Sequence, residues 1–293
     1  MGLAEWFSTY CSNICVQNGP TISTRYKMIT QRLNLDFWSI YSEISHSLYV
    51  GSYGRNTAIN GVSDIDMVFE LPANVFEKYN AYISNGQSAL LQAVRSSLLK
   101  TYPNSRVGGD GQVVAIDFAD GITFEIVPVF TNDDGSYIFP DSNDGGKWRT
   151  TNPRAEIQAI RERNSNCNEN LYRLCRMMRS WKSQWDVPIG GLLIDTFAHQ
   201  FIGNWSNRDK SFYYYDFMCR DFFKWVSEQS PDQMLWRAPG SNQYVFAKGP
   251  FIKKASKCHD IALEAIEHEM ATPKREWSAK QKWREIFGTE FPS

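Results

Sequence analysis

Gly51-Ser52-Tyr53-Gly54-Arg55-Asn56-Thr57-Ala58-Ile59-Asn60-Gly61-Val62-Ser63-Asp64-Ile65-Asp66 decides the fold, because it sets a small-residue loop ahead of two carboxylates on alternate positions. Met67-Val68-Phe69 extends Ile65 as an apolar run, so Ser63 to Phe69 reads as a strand, in which side chains two apart share a face. Asp64 and Asp66 are therefore expected side by side. Carboxylates held together repel and are costly to desolvate, so a strand that keeps such a pair is expected to hold divalent metal, magnesium first, through oxygen ligands. Upstream, Gly51 and Ser52 can offer backbone N–H groups and a hydroxyl to a triphosphate, as amides at turns and helix starts do.

The 293 residues can bury a substantial core, as one large domain or two lobes. Aromatics at 14% and hydrophobics at 42% exclude a disordered chain. There is no apolar run of the length a membrane span needs, and Met1-Gly2-Leu3-Ala4-Glu5-Trp6 lacks the basic and apolar regions of a secretory signal. Trp6 stands where an N-myristoylation signal needs Ser or Thr. A cytoplasmic protein is expected. The six cysteines, at 11, 15, 167, 175, 219 and 258, form no C-x-x-C pair and are expected as reduced thiols. Cys258-His259 with His268, or Cys11 with Cys15, is the alternative grouping, for zinc.

Net charge is −1, unevenly spread. Residues 64 to 150 carry 12 acidic and 6 basic side chains, whereas residues 151 to 185 carry 7 basic and 3 acidic ones. An acidic segment that holds cations and a basic one that neutralises phosphate suit a metal–nucleotide complex. Two ordinary solvated surfaces would give the same counts.

Helical spacing of Ile29, Leu33, Phe37, Ile40, Tyr41, Ile44 and Leu48 predicts a long helix over Ile22 to Tyr49, and a second pattern predicts one from Val75 to Leu99. Val113 to Phe118 and Ile122 to Val127 read as strands joined at Ala119-Asp120-Gly121, a hairpin signal. Glu125 alternates with the apolar Phe124 and Ile126, which makes it the candidate third ligand, with Asp117 on the partner strand as runner-up. Asp133 to Asn152, rich in Asp, Asn, Gly and Pro, reads as a loop or linker between lobes. Beyond it Asn170 to Trp185 is an amphipathic helix. Gly190 begins another helix and Tyr213 to Val226 an aromatic one. The tail from Glu285 to Ser293 is expected to be exposed and available to a regulatory protein partner.

The Gly-Ser loop, the Ser-Asp-Ile-Asp entry to a strand, Glu125 followed by Ile-Val-Pro, and the helical C-terminal half resemble, in that order, the polymerase-beta-like nucleotidyltransferase superfamily. Within it the chain resembles the bacterial cGAS/DncV-like nucleotidyltransferases (CD-NTases) over nearly its whole length. The resemblance implies an α+β fold: a nucleotidyltransferase core with a mixed β-sheet flanked by helices over residues 1–150, a helical lid over 151–293, and the active site in the cleft between. It implies two Mg²⁺ or Mn²⁺ ions on Asp64, Asp66 and Glu125, and NTP phosphates held by Gly51 and Ser52. A basic residue near Trp181 would assist, Arg179 or Lys182; the family usually has Lys two positions before the Trp, where this chain has Arg179. The third acid, commonly Asp, is Glu here. The implied reaction joins NTPs into a cyclic di- or trinucleotide that activates a downstream effector in anti-phage defence, by a protein expected to be monomeric. The competing expectations are a transferase that modifies a protein, a small molecule or an RNA end, and a non-catalytic nucleotide-binding scaffold.

Overall fold

The structure, a computed structural model, describes residues 2–61 and 63–293; Met1 and Val62, the latter inside the loop quoted above, lie outside the described residues. The chain forms two compact units, one of Gln17–Arg55 and Gly61–Ile157, the other of Met1–Val16, Asn56–Asn60 and Gln158–Ser293.

The chain opens with α1 (Leu3–Asn13) in the second unit and enters the first through α2 (Gly19–Leu33). The helix does not run to Tyr49 as its apolar spacing suggests. A π-helical turn covers Asn34–Trp38, Ser39 is left-handed at φ 56°, and Ile40, Tyr41 and Ile44, counted on the apolar face, are exposed. Buried Asn34 explains the break: its amide donates to the carbonyls of Ser42 (3.0 Å) and Ser45 (2.9 Å), so the loop's backbone groups are satisfied without a helix. β1 (Ser47–Tyr49), α3 (Gly51–Gly54) and β2 (Asp64–Glu70) follow. The expected helix over 75–99 is two, α4 (Ala73–Asn80) and α5 (Gly86–Leu99). Asn85 caps the second by accepting from Ser88 N at 2.9 Å, and Ile83, inside the span expected as one helix, is fully exposed between them.

β3 (Arg106–Asp110), β4 (Val113–Asp117) and β5 (Thr123–Thr131) come next, the last two joined as the Asp-Gly turn predicts, with Gly121 at φ 83°. The stretch read as a linker is instead β6 (Tyr137–Asp141) and β7 (Lys147–Thr151). Its Asp, Asn and Gly residues build the turn: buried Asp141 accepts from Asn143 N (3.1 Å) and Gln112 Nε2 (3.2 Å) and pairs with Arg149. Seven strands make one mixed sheet in the order β1-β2-β5-β4-β3, with β6 on β5 and β7 on β6; only β2 and β5 run parallel. Ile65, Phe69, Ile116 and Phe124 are among its buried side chains, as are Leu90 and Val94 of α5.

The second unit continues with α6 (Pro153–Ser165), inside which the division falls, then α7 (Asn170–Trp185), α8 (Gly191–Asn204), α9 (Tyr215–Ser227), the hairpin β8 (Leu235–Arg237) and β9 (Tyr244–Phe246), α10 (Ile252–Met270) and α11 (Glu276–Phe287). The 1–150 and 151–293 partition therefore differs from the compact units at the N-terminus and at Asn56–Asn60, and at the N-terminus the reason is aromatic. Phe7 of α1 packs edge-on against Tyr215, Trp283 and Phe291, with centroids 6.0, 5.2 and 5.3 Å away. The same cluster buries Ile286, Phe287 and Phe291, so the tail expected to be exposed is so only at Glu285, Thr289, Glu290 and Ser293. No helix among the described residues is long and apolar enough to cross a membrane.

Phe7→Ala should cost about 3–5 kcal/mol through lost transfer energy plus the cavity left among those rings, seen as a lower urea midpoint in the unfolding of the helical unit. A shift equivalent to less than about 1 kcal/mol, the size expected at the surface, would show that α1 is not part of this core.

Candidate active site

β2 exposes Asp64, half-buries Asp66 and buries Ile65 and Met67, the alternation of a strand covered on one face. Its parallel pairing with β5 sets Asp64 opposite Thr123 and Asp66 opposite Glu125. Paired residues of adjacent strands share a face, so Asp64, Asp66 and Glu125 lie together while Phe124 and Ile126 are buried on the other side. Asp117 sits one strand further out, opposite Thr123, whose hydroxyl donates to it at 2.9 Å, with Arg106 Nε 3.6 Å away. Glu125, not Asp117, adjoins the aspartates.

The small-residue loop reaches the same place. Val50 N donates to Asp66 O at 2.9 Å, and α3 begins at Gly51 with φ 59°. A Cβ on residue 51 would stand 1.8 Å from Asp66 Oδ2, so both the left-handed conformation and the contact require glycine there. Ser52 follows in the first turn of α3.

Burial raises the Asp66 carboxyl above the usual range; Arg55 pulls it down, the charge on Asp64 pushes it up, and a hydrogen bond with Glu125 lowers it. Arg55 is only 6% exposed and donates from Nη1 to Glu156 Oε2 at 3.2 Å, with Glu156 3% exposed. Sequence reasoning gave Arg55 no role; its signal was its place inside the loop motif, four residues after Gly51. Carboxylate oxygens are the donors that magnesium and manganese prefer, so this set fits such an ion. Among the described residues, however, no three His, Cys, Asp or Glu side chains are drawn into a closed coordination set. The strands bring these acids onto neighbouring positions without building a rigid cage.

Arg179, one of the two basic candidates near Trp181, is engaged elsewhere. It is 8% exposed, and its Nη2 donates to Asp195 Oδ2 at 2.9 Å and Gly191 O at 3.2 Å, while Thr57 Oγ1 donates to the same Asp195 oxygen at 3.0 Å. A buried guanidinium tied to a buried carboxylate is a fixture of the helical unit, and pulling it away would strand the acid. Lys182 is half-buried and forms no ion pair among the described residues. All six cysteines are free thiols; Cys258 is buried, accepts from Trp181 Nε1 at 3.1 Å, and has its pKa pushed up to about 12 by burial.

A mixed sheet bearing three neighbouring carboxylates beside a glycine-started helical turn is the arrangement of a nucleotidyltransferase. The chain belongs to the SMODS family, the Second Messenger Oligonucleotide or Dinucleotide Synthetase domain, whose pattern it matches over residues 1–164. It is a CD-NTase, a metal-dependent nucleotidyltransferase that joins NTPs into a cyclic oligonucleotide second messenger. It is 23% identical to a probable cyclic nucleotide synthase of Bacillus cereus strain VD146, covering 83% of this chain and 81% of that one. It is 24% identical to a cyclic AMP-AMP-AMP synthase of an Acinetobacter species, covering 88% and 77%. Among solved structures, CdnC of E. coli MS115-1 in its complex with HORMA-deltaN superposes with a TM-score of 0.72 at 14% identity, covering 99% of this chain and 98% of that one. CdnG of Bradyrhizobium diazoefficiens in complex with GTP gives 0.68 at 12%, covering 97% and 94%.

Gly51→Ala should lower turnover at least about 100-fold, the scale set by misplacing reacting groups by an ångström, with the fold retained by circular dichroism; near-normal turnover would show that the close approach is dispensable. A raised Asp66 pKa means that its ionised fraction falls, as pH drops, earlier than for an ordinary aspartate. In the metal-free protein the Asp66 carboxyl, followed by carboxyl-carbon NMR, is therefore expected to titrate above the usual carboxylate range. Arg55→Gln combined with Glu156→Gln, which removes both members of the buried pair, should move that titration to higher pH; a shift to lower pH would contradict the role given to Arg55.

Proposed function

We propose that Asp64, Asp66 and Glu125 are the metal-binding and catalytic residues of this synthase, and that the product is a cyclic di- or trinucleotide. The observation that carries the assignment is the register that sets Asp66 beside Glu125, with Gly51 closed against Asp66 Oδ2. Asp64 and Asp66 would hold two divalent ions, Mg²⁺ or Mn²⁺, with Glu125 on the side of the attacking hydroxyl; such ions, when bound, activate a ribose hydroxyl and neutralise the departing pyrophosphate. The chain's own work is positioning and charge placement. Gly51 N–H and the Ser52 hydroxyl would orient the donor's terminal phosphates. Arg55, fixed by Glu156, favours the ionised form of Asp66. Lys182 is the remaining candidate for a phosphate contact from the helical unit, which we assign the part of the lid, the sheet unit being the nucleotidyltransferase core.

The further parts of this reading are a cytoplasmic monomer that takes NTPs and acts on a downstream effector through its nucleotide product. A regulatory protein partner is also proposed: one structural neighbour was solved as a complex with a HORMA protein. With its apolar residues buried, the C-terminal tail offers such a partner its polar positions only.

Purified protein given Mg²⁺ or Mn²⁺ and all four NTPs should release pyrophosphate and yield phosphatase-resistant products whose masses match cyclic di- or trinucleotides. Asp64→Asn should reduce product at least about 100-fold, as expected when charge stabilisation at the reacting centre is removed. Full turnover in that variant would sink the assignment of residues while leaving the activity itself intact.

A further inference from the structure

A second place in the molecule is built for negative charge. In the helical unit a cavity of about 280 Å³ is lined by Ser8, Ser12 and Cys15 of α1 and its C-terminal end, by Arg173 and Arg176 of α7, and by Phe212. Neither arginine forms an ion pair with a carboxylate among the described residues. The Arg173 bonds run through Nη1, to Asn168 O (3.1 Å), Tyr215 Oη (3.2 Å) and Asn170 Oδ1 (3.5 Å). Arg176 donates from Nη2 to Asn56 Oδ1 (2.7 Å) and O (3.0 Å), and from Nη1 to Cys15 Sγ (3.5 Å). These partners are neutral and fix both planes without cancelling either charge. Arg176 Nε is buried with no hydrogen-bond partner among the described residues, and the Ser8 hydroxyl, on the cavity wall, can rotate to donate to an occupant. The two guanidinium groups also act together on the adjacent Cys11 thiol, each favouring its ionised form against the effect of burial.

Partly buried cations are normally paired, and an unpaired buried donor is costly. Two guanidinium planes held open beside leftover N–H and O–H donors are the recognition chemistry of a phosphate group. Phe212 supplies the apolar wall, with Arg173 Cζ 5.0 Å from its ring centre. We propose that this cavity is a binding site for a phosphate group, carried by a small phosphomonoester or present as inorganic phosphate, and held by Arg173, Arg176 and Ser8. It lies in a different compact unit from Asp64, Asp66 and Glu125, so the inference stands whether or not those residues are the catalytic ones.

Cys15 is a local reporter: half-exposed, on the cavity wall, and bonded by Arg176. Its alkylation is followed by peptide mass spectrometry on the full chain in metal-free buffer, titrated with inorganic phosphate, with phenyl phosphate, or with chloride at matched ionic strength. Phosphate should slow alkylation saturably, about tenfold at ten times its dissociation constant, as one-site occupancy dictates; chloride should not. Phenyl phosphate protecting at lower concentration would identify the monoester as the better occupant, through Phe212, and equal protection would identify the bare anion. Arg173→Gln should abolish the protection and Arg173→Lys should retain part of it, both with wild-type circular dichroism. No protection up to phosphate on the order of 50 mM, well beyond a millimolar dissociation constant, or equal protection in Arg173→Gln, would overturn the site.

Discussion

Gly51 and Asp66 are in contact where any side chain on residue 51 would collide with the carboxylate. Around that contact three acids must stay together although their charges repel. The sheet achieves this by register: β2 and β5 run parallel, so Asp66 meets Glu125 directly and Asp64 stands one repeat earlier on the same face. A one-residue slip of β2 would send Asp64 and Asp66 to the apolar side, where Ile65, Phe124 and Ile126 now lie buried. The hydrophobic face thus enforces the polar one. Arg55 supplies the compensating charge, and its own burial is made tolerable by Glu156.

The arginines of α7 divide differently from what sequence spacing suggests. Arg173, Arg176, Arg179 and Lys182 recur every third residue, which turns successive members around the helix axis. Arg179 points into the unit and is consumed by Asp195; Arg173 and Arg176 line a cavity; Lys182 stays half-buried with no ion pair among the described residues. One basic stripe therefore serves three physical ends.

Much of the fold was legible because local signals agreed. The β2 strand, the hairpin at Asp120-Gly121 and helix α7 each combined a clear period with turn or cap chemistry; β2, β4 and α7 lie within a residue of their expected spans, while β5 continues four residues past its expected end. Failures came where side chains replaced backbone logic. The carbonyls that Asn34 satisfies let a loop follow α2, although Ile40, Tyr41 and Ile44 mimic a helical face. The polar run at 133–152 was read as a linker because its turn residues outweighed Tyr137, Ile138 and Phe139, which form a strand. Packing of α1 on the C-terminal aromatics joins residues nearly three hundred positions apart, and no local pattern announces that. Of the residues proposed for the site, Asp64, Asp66 and Glu125 could be placed on one face in advance because alternation along a strand fixes faces, and Gly51 and Ser52 because the loop motif leads into that strand. Arg55 and Glu156, a hundred residues apart, could not be paired without coordinates.

The most direct test of the three-carboxylate centre is Mn²⁺ binding followed by electron paramagnetic resonance, with and without a non-hydrolysable ATP analogue, in wild type and Glu125→Gln. The account predicts tighter Mn²⁺ binding when the analogue is present and a loss on the order of tenfold in affinity for the variant, about 1.4 kcal/mol. Unchanged Mn²⁺ affinity in Glu125→Gln would show that the register of β2 and β5 does not assemble a shared metal site.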